Sequence, residues 1–519
     1  MTNITFRAFV LAATMVACSP FIVAQKGTPE PRAGLEFKPP KGFVEMPAAG
    51  DNGALVRLFA APRALSDKED GAHTPLMRVM FFGKGGNADK DVVDGLPRMT
   101  PFRGLEDFVQ RGLGMKNPIK ETYKVAALDG QRITGKDKTR TLYGQSVTLP
   151  DGEAAVCFEA LTTQFDKLKK DYDVTLSTLA LVQRVAEVAL PAPWLSDAEW
   201  NKKDLLAHSA ARKTWAEAMV ASAVKTPGAG FKVQKSKYWT VISSADPAFT
   251  KKAVTAAEMM RTWAATKMPD LTKESLPAIL RIFDSMDHYR AYLTTVVEQR
   301  EFDQGRRELL FAMDTDNAGN GGYGPLFRAV LWQVFADVDE RVLPTMPRWF
   351  DNGISEFLRS SYCDGKKLEF MAGDVEKGRI AYYPQNKLPM PYLWHLIQEQ
   401  LQLSPADGKA EEPWGYTPEC ARLMRWLWSF DGAKQFEKPN LVADYVRGLA
   451  VAVGKLGANP TLDVRTVGLS PSEQKEFNMR FYKWRDALLK DVDYTVLPLT
   501  ESQWNAINEK WLEFNKNYK

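Results

Sequence analysis

Residues Tyr323–Arg359 read YGPLFRAVLWQVFADVDERVLPTMPRWFDNGISEFLR, and the fold turns on this stretch. Leu326, Phe327, Val330, Leu331, Val334, Phe335 and Val338 recur at helical spacing, so they predict a helix that faces a core, with Pro325 suited to its first turn. A second helix is expected from near Trp349, carrying DNGISEF. Pro344 and Pro347 lie between them, so the pair reads as helix, turn, helix packed side by side.

Length allows two or three domains with cores of their own, and apolar (45%) and charged (25%) fractions are ordinary for globular protein. The net charge of +4, from 68 basic and 64 acidic residues, implies no large basic surface, so nucleic acid is not an expected partner. At the N-terminus, Arg7 precedes FVLAATMVACSPFIVA, with small residues ahead of Gln25. This reads as a secretory signal over residues 1–24, hence an exported protein with no membrane span after cleavage. The alternative is a lipoprotein anchored through Cys18. Cys157, Cys363 and Cys420 remain; they read as three buried free thiols, with a Cys363–Cys420 bridge as the alternative.

From Leu35 the pattern is one of short strands and turns, then AAVCFEALTTQ as a strand and DKLKKDYDVTLSTLALV as an amphipathic helix. The expectation is an α+β layout over residues 25–190, a linker with one helix over 191–234, and a domain over 235–430 in which strands alternate with helices up to the opening stretch and the chain past Arg359 is mostly helical. A helical extension follows over 431–519. The pieces FKPPKGF, AAVCFEALTTQ and DYDVTLSTLALV resemble the PsbP-like α/β sandwich domains of exported bacterial proteins.

The order from Lys237 to Phe430 resembles the gluzincin-type, peptidase MA-like zinc metallopeptidase domains. KYWTVISSADPAFTKKAVTAAEMM is similar to the opening strand and first helix of that family, LPAILRIFDSMDHYRAYL to its second strand and helix, PRWFDNGISEFL to its third-ligand helix, and YTPECARLMRWLWSF to a later helix. The resemblance implies a zincin-like fold, a mixed sheet plus helices. It also implies H-E-x-x-H on the first helix of the opening stretch, two His one turn apart on zinc with a Glu as base, and a Glu ligand from the next helix. The matching positions here are Trp332, Gln333 and Ala336, and Asn352 stands at the third ligand. Indole and methyl groups cannot ligate a metal, and neither Gln333 nor Asn352 has a carboxylate. No His occurs between His288 and His395, so a shifted alignment does not restore the motif. Neither metal nor cofactor is therefore expected, and the degenerate positions predict a catalytically inactive relative.

Other chemistries were weighed on their residues. Asp337, Asp339, Glu340, Asp351 and Glu356 could form an oxygen-only metal site, but they read better as solvated helix ends and caps. The loop from Asp314 starts like a calcium loop, yet Ala318 and Pro325 stand where ligands are needed. His73, His208, His288 and His395 are isolated, and no G-x-S-x-G elbow occurs. The tryptophans read as core, with Trp332 set either to plug the vacated cleft or to floor it.

The expected function is binding of an extended peptide or an envelope protein. Leu309, Phe311 and Met313 of the strand ELLFAMD would form one wall of the groove, with Glu356 and Tyr416 nearby. The alternatives are a hydrolase with a non-standard site around Glu356 and a structural cell-envelope protein. Oligomeric state is not legible.

Overall fold

The computed structural model describes residues 27–46, 54–67, 71–84, 92–93, 96–97, 102–125, 128–185, 205–228, 230–273, 275–293, 301–312, 322–387, 390–398, 417–457 and 469–517. The signal over residues 1–24 with Cys18, Met313, the loop from Asp314, Tyr416 and the side chain of His395 lie outside the described residues.

The fold is α+β. In the N-terminal part, β1 (Val44–Met46), β2 (Leu55–Ala60), β3 (Leu76–Gly83), β4 (Ile119–Val125), β5 (Leu128–Lys136), β6 (Arg140–Leu149) and β7 (Gly152–Leu161) form one antiparallel sheet. Its order is β4-β5-β6-β7-β3-β2-β1. Helix α1 (Thr162–Ser177) covers it, burying Tyr172 and Leu176, with the Tyr172 ring stacked 4.2 Å from Phe158. The sequence reading carried the β7 strand through Gln164 and the helix on to Val182. Instead the strand ends at Leu161, and Ala180–Leu181 leaves the helix to pair with Leu35–Phe37 in a small separate sheet.

Helix α2 (Leu205–Lys225) leads to a second, mixed sheet of β8 (Lys232–Lys235), β9 (Thr240–Ser243), β10 (Ile279–Phe283), β11 (Phe302–Asp303) and β12 (Glu308–Ala312), in the order β8-β9-β10-β12-β11. The β9-β10-β12 core is parallel, and both outer strands run antiparallel to it. The short outer strands β8 and β11 were not read from the sequence. Helix α3 (Pro247–Lys267), capped by Asp246, connects β9 to β10, and α4 (Met286–Leu293) follows β10.

The strand period of two gives this sheet two buried faces. Leu280, Ile282, Leu309 and Phe311 point into the large helical core. Ile242, Ile279, Phe283 and Leu310 point the other way, where they join Leu58, Ala60 and Leu76 of the first sheet in one apolar layer. The two sheets therefore share a core.

A polar network is sealed into that layer. Arg281, fully buried, donates to Glu308 from Nη2 (2.7 Å) and to the carbonyl of Pro227 from Nη1 (2.8 Å), while the Tyr292 hydroxyl donates to Glu308 (2.6 Å). Burial alone would raise the Glu308 carboxyl, but Arg281 and Arg306 outweigh it and hold it down at about 2.

Past β12, α5 (Gly324–Val338) is followed by a 3-10 turn (Glu340–Thr345) and then α6 (Arg348–Arg359), so the expected loop is itself helical. The region beyond Arg359 is not uniformly helical either. A hairpin of β13 (Ser361–Cys363) and β14 (Leu368–Phe370) comes first, its turn made by Gly365 at φ 84° and by Asp364, which accepts the amides of Lys366 and Lys367. Then come α7 (Asp374–Gln385), α8 (Leu393–Gln398), α9 (Thr417–Ser429), α10 (Leu441–Leu456), α11 (Pro471–Val496) and α12 (Glu501–Asn517). Among the described residues no helix is long and apolar enough to cross a membrane. Cys157, Cys363 and Cys420 are buried free thiols, so the Cys363–Cys420 bridge does not form.

Two buried carboxylates make opposite predictions. Because the folded Glu308 sits below its unfolded value, its stabilisation is present above pH 4.5 and lost as pH falls toward 2, about 3 kcal/mol in all. Glu308→Gln should cost stability at pH 7 and flatten the acid limb of a urea-unfolding series. Asp493 on α11 is pushed by burial to about 7, with the Tyr445 hydroxyl donating to it (3.0 Å). Its native state keeps a proton that the unfolded chain loses, so stability falls as pH rises from about 4 to 7. Asp493→Asn, which keeps the acceptor, should raise stability above pH 7 by on the order of 2–4 kcal/mol, a gain that shrinks toward pH 4.

Candidate binding groove

Helix α5 is apolar almost all round. Leu326, Phe327, Val330, Leu331, Val334, Phe335 and Ala336 are completely buried, as expected of a central helix. Its C-terminal carbonyls are buried too and need donors. Arg212, from α2, supplies them. Its guanidinium donates to the carbonyls of Ala336 (2.8 Å), Asp337 (3.1 Å) and Val338 (3.1 Å) and to the Glu340 carboxylate (2.9 Å). Arg307, also fully buried, donates to Asp337, and Arg261 lies 3.8 Å from the same carboxylate. Asp339 accepts from the Arg341 side chain (2.6 Å).

Asp339 is a cap, accepting the Arg341 amide (2.9 Å) at the start of the 3-10 turn, but the reading of Asp337, Asp339 and Glu340 as solvated is corrected. All three are buried and matched by guanidinium groups, which leaves no free carboxylate pair for an oxygen-only metal site. Among the described residues no group of three or more His, Cys, Asp or Glu side chains is placed to hold a metal.

Three of the four positions compared with the zinc motif, Trp332, Gln333 and Ala336, lie in this core. Gln333 is completely buried and accepts from the Trp239 indole Nε1 (2.6 Å). Trp332 is 6% exposed and packs on Phe335 at 5.8 Å between ring centroids. Ala336 presents its carbonyl to Arg212, and Asn352 is half-buried on α6. An indole, an amide already bonded to Trp239, a methyl and a second amide do not fit a zinc ion. The neighbouring Gly353 has a structural reason of its own. A Cβ there would come 2.8 Å from the Cys420 carbonyl of α9, so the glycine lets α6 and α9 cross backbone to backbone.

The open space lies at the other end of α5. A cleft of about 800 Å³ is bounded by Leu310, Phe311 and Ala312 of β12 and by Gly324 and Pro325 at the start of α5. Its far wall runs from Arg359 to Tyr362 and from Met371 to Asp374. A second cavity of about 710 Å³ adjoins it across Phe311, Gly322 and Tyr362, under the first turns of α3. Phe249, Phe311 and Tyr323 stack in sequence along the shared boundary, with ring centroids 6.1 and 5.9 Å apart. Arg425 of α9 fixes the far wall: fully buried, it donates to the carbonyls of Phe370 (2.7 Å) and Met371 (2.8 Å) and to Glu376 (2.8 Å).

Of the residues expected to form a groove, Phe311 lines it. Leu309 shares the face of Phe311 but lies further back along the strand, where it is fully buried in the helical core and β11 pairs beside it. Glu356 is 8% exposed and paired with Arg359 (3.1 Å). The β12 edge is thus partly covered. Phe302 pairs with Leu309, the Leu310 amide donates to the Glu301 carbonyl (2.8 Å), and beyond Leu310 no further pairing of this edge is found among the described residues. Tyr362, Met371 and Arg425 were missed in the sequence, and only the adjacent Lys251 and Lys252 at the start of α3 carried any local signal. One side-chain trio also resembles a hydrolytic triad: Ser244 Oγ lies 3.2 Å and Asp284 3.0 Å from His288. Both contacts fall on Nδ1, whereas a triad needs nucleophile and carboxylate on opposite ring nitrogens, and Ser285 Oγ accepts the His288 amide (3.1 Å) at the start of α4.

No family model matches this chain, and no curated protein matches it. Solved structures similar to part of it include the following two. One is the crystal structure of LpqN, involved in cell envelope biogenesis of Mycobacterium tuberculosis, at 12% identity over 28% of this chain and 83% of that one, with a TM-score of 0.19. The other is the solution structure of cyanobacterial PsbP (CyanoP) from Synechocystis sp. PCC 6803, at 14% identity over 32% of this chain and 97% of that one, with a TM-score of 0.21. Both likenesses fall on the N-terminal region and bear on neither the groove nor its chemistry.

Gly353→Ala should destabilise the protein by about 1–3 kcal/mol despite the better helix propensity of alanine, because the facing atom is backbone and cannot swing away. The Tm of the variant checks this.

Proposed function

We propose that this chain is an exported, non-hydrolytic relative of the gluzincin-type peptidases that binds an extended peptide in the groove beside β12. The observation that carries the proposal is the separation of the two sites. Trp332, Gln333 and Ala336 of the degenerate motif are buried in the core, whereas the end of β12 opens into a cleft of about 800 Å³. Ala312 has the same strand parity as Leu310, whose amide bonds outward to Glu301, so its own N–H and C=O are turned toward the cleft. An extended peptide can add to such an edge through main-chain bonds alone, which needs neither metal nor base. Stacked aromatic rings on one side and the Met371 loop on the other offer apolar contact for its side chains.

The lining supports binding over chemistry. Among the described residues it includes no His, and burial pushes the Cys363 thiol up, away from the thiolate form. In this reading residues 1–24 direct export, 25–190 form the N-terminal module, 191–234 join the two parts, with Ala223 in the shared apolar layer and Arg212 on the end of α5, 235–430 carry the groove and 431–519 buttress it.

The purified mature protein should carry no stoichiometric zinc and should hydrolyse no peptide in a mixed library. The same library should slow backbone hydrogen exchange at residues 310–312 and 361–363. Turnover abolished by a chelator would overturn the inactive reading, and unchanged exchange with every peptide would leave a structural envelope role instead.

A further inference from the structure

The C-terminal helices bury a carboxyl group that the groove does not use. Asp493 is 9% exposed and lies on α11 where that helix packs along α10. The Tyr445 hydroxyl of α10 donates to it (3.0 Å), and the buried Tyr445 ring lies 5.2 and 5.6 Å from those of Trp349 and Phe350 on α6. No cation answers the carboxyl, for among the described residues Asp493 enters no ion pair. On α10, Lys455 pairs with Asp491 (3.1 Å) and Arg447 with Asp270 (3.2 Å). Arg485, two turns back on α11, donates to the Met346 carbonyl (2.6 Å), and from α6 Trp349 brings an indole without charge.

The packing on either side of this carboxyl has no slack. A Cβ on Gly448 of α10 would come 2.5 Å from Val496 and 3.3 Å from Val492, so the two helices touch at a separation that glycine permits. One hydroxyl donor does not offset the burial of a carboxylate, so the neutral acid is the form that fits, and burial pushes Asp493 up to about 7. A charge there needs water or a cation, and a close-packed contact yields by parting rather than by stretching.

We propose that the α10–α11 contact is a proton-controlled latch: Asp493 closes it as the neutral acid, and loss of the proton lets the C-terminal half of α11 part from α10 while the central sheet stays folded. This stands apart from what the groove binds. The closed contact holds its proton up to about pH 7, whereas the parted one, with the carboxyl in water, releases it near pH 4. Opening therefore becomes about tenfold easier with each pH unit above ~4 and levels off near 7, where both forms are ionised.

The test is hydrogen exchange of the full mature chain, read by mass spectrometry from about pH 5 to about pH 8.5, with each rate divided by its intrinsic value. Amides over 445–453 and 488–496 should be at least ~10-fold less protected than those of β10 and β12, and should lose protection about tenfold per pH unit up to about 7. Asp493→Asn, which cannot ionise, should flatten that profile and keep both helices protected at high pH. Tyr445→Phe removes the donor that favours the carboxylate, so the levelling-off should move above pH 7. Equal protection of the helices and the central strands would make the opening global, and an unchanged profile in Asp493→Asn would assign it to another group; either result overturns the latch. Should Asp493→Asn not fold, the Tyr445→Phe profile decides, and the absence of an upward shift there overturns the latch as well.

Discussion

The Arg212 guanidinium at the buried C-terminus of α5 is the contact on which the central architecture rests. A helix that ends inside a protein leaves carbonyls with no water to bond, and a buried cation answers both the missing donors and the negative end of the dipole. Arg212 donates to three of those carbonyls and to Glu340, and Arg307 and Arg261 close the cluster on Asp337. Four segments meet there: α2 before the second sheet, α3, the residue preceding β12, and the end of α5. Such a cluster tolerates no missing member, since removing one partner strands a charge in low dielectric at about 3–5 kcal/mol.

That arrangement explains why the groove lies where it does. With its C-terminal end locked by cations and its middle packed among apolar side chains, α5 meets the cleft at Gly324 and Pro325. The same end meets the last residues of β12 and the close of α6, where a Cβ on Gly324 would meet the Leu358 carbonyl at 2.8 Å. Helix ends and strand ends converge, and their loops make the walls. Arg425 repeats the device on the far side, using a buried cation to hold the carbonyls of Phe370 and Met371 so that the wall has a defined shape.

Much of the fold was legible locally. The apolar stripe from Leu326 to Val338, the Pro325 start and the strands over Ile279–Phe283 and Glu308–Ala312 each follow from periodicity within a short window. The edge strands β8 and β11 were not, because two to four residues show too little alternation to separate from loop. The β13–β14 hairpin was readable in principle, from Asp364 and Gly365, but its strands are only three residues long.

By itself the sequence determined what the motif positions cannot do: Trp332, Gln333, Ala336 and Asn352 lack the atoms that ligate zinc or take a proton, whatever surrounds them. It also determined the α+β class, through the alternation of strand and helix periods. Only the tertiary structure decided that Asp337 and Glu340 are paired ions rather than solvated caps, because Arg212 and Arg307 reach them from sites distant in the chain. It alone brought Lys251, Lys366 and Lys377 to the rim of one groove. Residue type is a local property and survives any fold, whereas burial and charge pairing are set by neighbours that the chain brings together only when it packs.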